Sequence, residues 1–361
     1  MKRILKYIAL IPLILLVAFA FNFNKIKIKY LSNKTGYQES TINTLLEDSL
    51  YDNIENKTYS KTLDIIANTI YFDQNQINEY LNILYIDRET FLNNINILLN
   101  TGYKSQEINT LFQKLSQDSI NILLEEEYLN NIIDIIEIPY FKENNLKRYL
   151  SYQKTNSNKE VQTIITNVNI GLDNKFYTNI NKIEKEDDLL ILVNKYHSLS
   201  KNYTPKNLQN LVYGTSELKK EAAVAFDKMC KDASKENIKI YGSSGYRSYS
   251  RQNYLYNKYV KEDGKTAADT YSARPGHSEH QTGLAIDISK KNGDFIAAND
   301  KEYNWLIKNS YKYGFILRYP KGKEYITGYM YEPWHYRYLG TDVAKEIYDL
   351  NITYEEYVAK K

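Results

Sequence analysis

Ser278-Glu279-His280-Gln281-Thr282-Gly283-Leu284-Ala285-Ile286-Asp287 places a histidine, a glycine turn and an alternating strand in one short stretch. Leu284 to Ile288 alternates as a half-buried strand does. Gly283 permits the tight turn that folds His280 back beside that strand. Asp287 then shares a strand face with Ala285, whose small side chain leaves room beside it. A second motif, Glu332-Pro333-Trp334-His335, brings another histidine and another carboxylate. The chain has four histidines, His197, His277, His280 and His335, and three of them lie in these two motifs.

A hydrolytic zinc site takes three protein ligands from His, Asp or Glu and leaves one position open. His280, Asp287 and His335 supply two imidazoles and one carboxylate, so one Zn2+ per chain is expected. Glu332, three residues before a ligand, is placed to take a proton from an attacking water. A regular strand through 332–335 would point Glu332 and His335 to opposite faces. Pro333 lacks a backbone donor and favours an irregularity, so a bulge or turn is expected there. A single histidine on an apolar face is usually a core residue. Three ligand-type side chains in two motifs, with a carboxylate nearby, favour a metal site. His277 is surplus to a three-ligand set and is expected behind it rather than in it.

Around the motifs the sequence mixes helices and strands without a βαβ rhythm, which argues for an α+β domain over 186–361. Leu189 to Val193 is an apolar run of strand length. Ser216 to Ala233 carries Leu218, Ala222, Ala225, Phe226 and Met229 on one helical stripe. Ile238 to Tyr241 reads as a strand leading into Gly242-Ser243-Ser244-Gly245, and Thr353 with Glu356 forms a capping-box pattern before a short terminal helix. Upstream, 25–185 is polar, Asn-rich and helical in period, as in Ile108, Leu111, Phe112 and Leu115. Gly36-Tyr37 before Ile42-Asn43-Thr44-Leu45 is echoed by Gly102-Tyr103 before Ile108-Asn109-Thr110-Leu111. Tyr71-Phe72 before Tyr80-Leu81 is echoed by Tyr140-Phe141 before Tyr149-Leu150. These echoes predict stacked helical units acting as a spacer.

The remaining signals concern location and partners. Lys2, Arg3 and Lys6 precede an apolar stretch from Tyr7 to Phe21, which keeps the N-terminus inside and sends the rest outward. Ala18-Phe19-Ala20 has the form of a cleavage box, but it lies inside the apolar run. With Ile4 to Phe23 near the ~20 residues that span a bilayer, 1–24 is expected to be an uncleaved membrane anchor rather than a signal peptide. A net charge of +3, from 47 basic and 44 acidic residues, leaves no footprint for nucleic acid. Cys230 is the only cysteine, so no intrachain disulfide forms, and its apolar helical setting reads as core.

From about Leu189 to Val358 the chain resembles the VanY-type D-alanyl-D-alanine carboxypeptidases, zinc peptidases related in fold to the Hedgehog signalling domain. The resemblance rests on both metal motifs and on three further stretches. These are Ser244-Gly245-Tyr246-Arg247-Ser248-Tyr249 with Gln252, Ser272-Ala273-Arg274-Pro275-Gly276-His277, and Gly314-Phe315-Ile316-Leu317-Arg318-Tyr319-Pro320. It implies a small antiparallel sheet flanked by helices, with zinc on His280, Asp287 and His335 and Glu332 as general base and acid. It also implies Arg247 at the scissile carbonyl, and Gln252 and Ser278 as substrate-binding positions. A guanidinium suits both a terminal carboxylate and a developing oxyanion, so the chemistry of Arg247 agrees. Arg274 and Arg337 are expected to pair with acidic groups around the site or with substrate. His197 is expected to be structural or at the surface, and Trp334 to pack on the sheet. The implied activity is removal of the terminal D-alanine from peptidoglycan stem peptides outside the cell membrane. An L,D-carboxypeptidase acting on tetrapeptides is the near alternative, and a non-catalytic zinc-holding wall-binding module is the remote one.

Overall fold

The computed structural model describes residues 20–361. The expected membrane segment falls almost wholly on residues 1–19, outside the described residues. Among the described residues no helix is long and apolar enough to cross a membrane. The chain divides into two compact units, Met1–Glu143 and Asn144–Lys361. The last two helices of the expected 25–185 region, Leu146–Thr155 and Val161–Ile170, therefore lie in the second unit.

The first unit is helical throughout its described residues. Its sequence echo is also a structural one. Tyr37 and Tyr103, which open the two copies, are both buried. The Tyr37 hydroxyl accepts from the backbone N–H of Ser60 at 2.9 Å, and that of Tyr103 from Leu129 at 3.3 Å. Each ring also packs on a second tyrosine, Tyr59 or Tyr128, at 5.0 Å between centroids. A buried phenol needs a partner, and here it finds one in the start of the next segment.

The second unit is built on a four-stranded sheet. Its strands are β1 (Tyr241–Ser244), β2 (Ala285–Ser289), β3 (Phe315–Leu317) and β4 (His335–Tyr338), in the order β1-β2-β4-β3. All pairs are antiparallel, and the α+β reading holds. Side chains alternate across the sheet. Ile286, Ile288 and Tyr336 enter a core with Phe226 and Met229 of helix α1 (Lys220–Lys235). Ala285, Asp287, His335 and Arg337 take the other face. Register places Asp287 directly opposite His335, and Ser244 opposite Asp287 on the other side.

Three local expectations shift. Helix α1 starts at Lys220 rather than Ser216, because Glu217–Lys219 pairs with Leu208–Asn210 as a hairpin. The β1 strand begins at Tyr241, at the end of the expected Ile238–Tyr241 run. Leu189 to Val193 is not a strand. Its carbonyls bind side chains instead: those of Leu189 and Ile191 accept from Arg337 Nη2 at 3.0 Å each, and that of Leu190 accepts from the Tyr354 hydroxyl at 2.5 Å. The capping box does form, with Thr353 and Glu356 bonding each other's backbone N–H groups at the start of Tyr354–Ala359. That terminal helix meets Val161–Ile170, where Asn169 Nδ2 donates to the Ala359 carbonyl at 3.0 Å and Ile170, Ile326 and Ala359 form a small core.

Candidate active site

The cross-strand pair Asp287 and His335 fixes two of the expected ligands by register alone. His280 joins them from a short 3-10 turn, Glu279–Thr282, closed by Gly283 at φ +68°. The ring is aimed by its Nδ1–H, which donates to the Gly245 carbonyl at 2.8 Å. Gly245 must lack a side chain, since a Cβ there would lie 2.3 Å from the Glu217 carbonyl oxygen. With Nδ1 protonated, the lone pair of His280 Nε2 faces Asp287 Oδ2 at 3.3 Å, while His335 Nδ1 lies 3.0 Å from Asp287 Oδ1. One donor atom from each residue lies within 4.8 Å of the others, and all three residues are buried.

These residues fit a metal ion. Two ring nitrogens and a carboxylate converge within 4.8 Å of one another, a donor set that suits zinc. Burial pushes the His280 imidazole down, toward the neutral form a metal requires. Burial also opposes charge on His335, but its bond to Asp287 and the nearby Glu279 and Glu332 carboxylates raise it to about 9. A carboxylate field that favours an imidazolium there favours a dication too.

Glu332 stands beside this cluster in a turn, not in the strand. The N–H of His335 donates to the Glu332 carbonyl at 3.2 Å, and β4 begins only at His335. This is the irregularity expected at Pro333, and it lets both side chains face the same cleft. Glu332 Oε2 lies 3.7 Å from His335 Nδ1. Burial lifts its carboxyl to about 7, with His335 pulling the other way. That value suits a group that must accept a proton and return it.

Arg247 follows β1 and lines the same cleft. Its Nη2 donates to Ser244 Oγ at 2.7 Å and its Nη1 to Gln252 Oε1 at 2.9 Å, with Nη2 also 3.6 Å from Asp287 Oδ2. The guanidinium is thus held by two hydrogen bonds in the lining of a cleft of 370 Å³ that Glu332, His280, Asp287 and His335 also line.

Residues 215–341 match the VanY family model, described as D-alanyl-D-alanine carboxypeptidase. Over 226 residues the chain is 40% identical to the putative carboxypeptidase YodJ of Bacillus subtilis (strain 168), covering 58% of this chain and 82% of that protein. The chain belongs to the VanY-type D-alanyl-D-alanine carboxypeptidase family. It is also 36% identical over 177 residues to the bifunctional D-Ala-D-Ala dipeptidase and carboxypeptidase VanXYC of Enterococcus gallinarum, covering 46% of this chain and 92% of that protein. Among solved structures, the LD-carboxypeptidase LdcB is 41% identical and covers 52% of this chain and 92% of its own, with a TM-score of 0.48. As a member of this family the protein is a zinc-dependent carboxypeptidase.

In this VanY-type enzyme the other expected positions divide. Ser278 is buried and lines the cleft. Gln252 also lines it, but its polar atoms are spent on the protein. Its oxygen accepts from Arg247, and its nitrogen donates to the Ala273 carbonyl at 2.7 Å and to Ser272 Oγ at 3.3 Å. Gln252 therefore braces Arg247 rather than offering a free amide to substrate. His277 is not in the metal cluster; its Nδ1–H donates to the Asn194 carbonyl at 2.8 Å and its ring meets Tyr177 edge-on at 5.1 Å. His197 Nδ1 lies 3.0 Å from Asn194 Oδ1, away from the metal cluster. Trp334 stacks on Phe295 with 5.6 Å between ring centroids, and both rings wall the cleft. Arg274 pairs with Asp269 at 2.8 Å.

Behind the ligands lies a buried chain of charges, of which only an acidic partner for Arg337 was expected. Glu279 Oε1 accepts from Arg318 Nε at 2.8 Å and from Arg337 Nη1 at 3.0 Å. Arg318 also makes a two-pronged pair with Glu355, at 2.8 and 2.6 Å. Two carboxylates and two guanidiniums balance, which is how four fully buried charges are tolerated. Glu279 and Arg318 stood within the quoted motifs, and Arg337 two residues beyond His335. Their meeting was not visible, because 39 and 58 residues of chain separate Glu279 from its two partners.

Proposed function

We propose that this VanY-type enzyme trims the terminal D-alanine of stem peptides in the cell wall, working outside the cytoplasmic membrane. The observation that carries this reading is the placement of Glu332 and Arg247 beside a three-donor metal cluster in one cleft, Glu332 next to His335 and Arg247 next to Asp287. Zinc held by His280, Asp287 and His335 supplies Lewis acidity to water and to the peptide carbonyl. Glu332 takes the proton from the attacking water and delivers it to the departing D-alanine amine. Arg247 offers its planar fork to the oxyanion that develops on the carbonyl, and its charge suits a substrate that ends in a carboxylate. A module that only held zinc would have no use for either residue. The basic residues Lys2, Arg3 and Lys6 ahead of the apolar run support an outward-facing, membrane-tethered enzyme.

The test is mass spectrometry of defined muropeptides after incubation with the purified protein. Loss of one alanine from pentapeptides supports the D,D reading. Loss from tetrapeptides alone gives the L,D reading, and no loss from either refutes peptidase activity. Chelation should abolish release, and added zinc should restore it.

The first unit is proposed as a spacer outside the chemistry. A chain beginning at Asn144 should release D-alanine from soluble peptides at the full-length rate. One beginning at Lys185 loses Ile170, which packs on Ile326 and Ala359. It should be less stable in urea by about 2 kcal/mol, the scale of one fully buried aliphatic side chain. Equal urea midpoints for the two would refute a structural part for the 144–185 segment.

A further inference from the structure

Glu279 holds a fully buried carboxylate whose two oxygens have different fates. Oε1 accepts from two guanidiniums, those of Arg318 and Arg337. Oε2 is buried and has no hydrogen-bond partner. Facing it at 3.6 Å is His335 Nε2, which is also buried and also has none. Buried polar atoms without partners are costly, so two of them face to face call for an explanation. A gap of 3.6 Å exceeds hydrogen-bond length, but only by a few tenths of an ångström beyond the ~3.2 Å limit. Such a gap closes with a small rotation of either side chain.

The other nitrogen of the ring looks the opposite way. His335 Nδ1 faces Asp287 Oδ1 at 3.0 Å and Glu332 Oε2 at 3.7 Å, inside the donor cluster. A neutral imidazole carries one proton, so the nitrogen aimed at a metal must be the bare one. Which nitrogen that is depends on the partner of the other.

We propose that Glu279 is a positioning residue that accepts the His335 Nε2–H, fixing the tautomer that leaves the Nδ1 lone pair free for zinc. Arg318 and Arg337 hold the carboxylate still by occupying Oε1, so that Oε2 alone is left for the ring. Glu355 anchors this from behind through its two bonds to Arg318, which ties the aim of a metal ligand to the terminal helix. His280 is aimed by a different device, the Gly245 carbonyl. The two imidazoles thus present opposite nitrogens to the same point, Nε2 from His280 and Nδ1 from His335. This inference rests on the zinc peptidase reading of the site, yet its test does not depend on turnover.

The critical variant is Glu279→Gln in the full-length chain. Glutamine keeps the size, but its carbonyl oxygen satisfies the arginines and its NH₂ then faces His335. The ring must answer by accepting on Nε2, which places its proton on Nδ1. Zinc affinity, measured by competition with a chromophoric chelator, should fall about 10–100-fold. Glu279→Asp keeps the charge but retracts it from the ring, and should lose affinity without gaining the Nδ1 proton. Nitrogen NMR of histidine-labelled wild type, loaded with zinc, reads the tautomer directly and does not require either variant to fold. A protonated Nε2 and a metal-shifted Nδ1 on His335 support the proposal. Wild-type zinc affinity in a folded Glu279→Gln chain, or metal on Nε2 of His335, overturns it. Failure of the peptidase reading would look different: zinc binding and the tautomer would be as stated, with no alanine released.

Discussion

Glu332→Ala should lower D-alanine release by about 10²–10⁴-fold while the chain still binds one zinc, whereas His335→Ala should lose both. The separation follows from where each side chain stands. His280, Asp287 and His335 bring three donor atoms within 4.8 Å of one another without help from Glu332. Glu332 lies 3.7 Å from the His335 nitrogen that faces the cluster, near enough to meet a water there and placed by its turn to face the cleft. Hydrolysis of an amide moves a proton twice, off the water and onto the amine. A carboxyl lifted to about 7 by burial can do both near neutral pH. Removing it leaves the metal cluster intact and the proton without a carrier. Removing His335 leaves two ligands, and also leaves Glu279 Oε2 facing an apolar methyl. Metal analysis and an amino-acid release assay on the two variants decide the matter together. Loss of zinc from Glu332→Ala, or near-normal turnover, would overturn the assignment.

How much of this was legible in the sequence depends on the range of the interaction involved. The strand at 285–289, the turn at Gly283 and the break at Pro333 are local, and each follows from residue types a few positions apart. The cross-strand pairing of Asp287 with His335 could be anticipated only through the chemistry, because their ligand types belong together. Gln252 shows the same limit in reverse. Its type suits substrate, but its bonds go to Arg247, Ala273 and Ser272, which only the fold assembles. Leu189 to Val193 has strand composition, yet Arg337 and Tyr354 take its carbonyls and leave no ladder to form. The Glu279–Arg318–Glu355 chain lay outside any local pattern. Charged residues read as surface unless their partners are known, and these partners are dozens of residues apart.

Arg247→Ala should reduce kcat by about 10²–10³-fold, the cost of losing one donor to a developing oxyanion. Zinc affinity should not fall with it. The Arg247 side chain approaches the cluster through its 3.6 Å contact with Asp287 Oδ2, while its backbone N–H, kept by alanine, donates to the His280 carbonyl at 3.1 Å; a cation removed from beside a metal-binding carboxylate does not weaken that carboxylate for metal. The guanidinium owes its direction to two neutral partners, Ser244 Oγ on Nη2 and Gln252 Oε1 on Nη1. Lysine cannot reproduce this, since a single ammonium on a flexible stem does not bridge both partners while facing the cleft. Arg247→Lys should therefore recover binding of the terminal carboxylate better than it recovers rate, showing a KM nearer wild type than its kcat. Gln252→Ala provides an independent check. It leaves the guanidinium in place with one brace removed, so it should lower kcat by less than Arg247→Ala, and combining the two should add little further loss. If Arg247→Ala turned over at the wild-type rate, the arginine would have no part in the reaction. If the Arg247 and Gln252 losses simply multiplied in the double variant, Gln252 would act on the substrate itself rather than through Arg247.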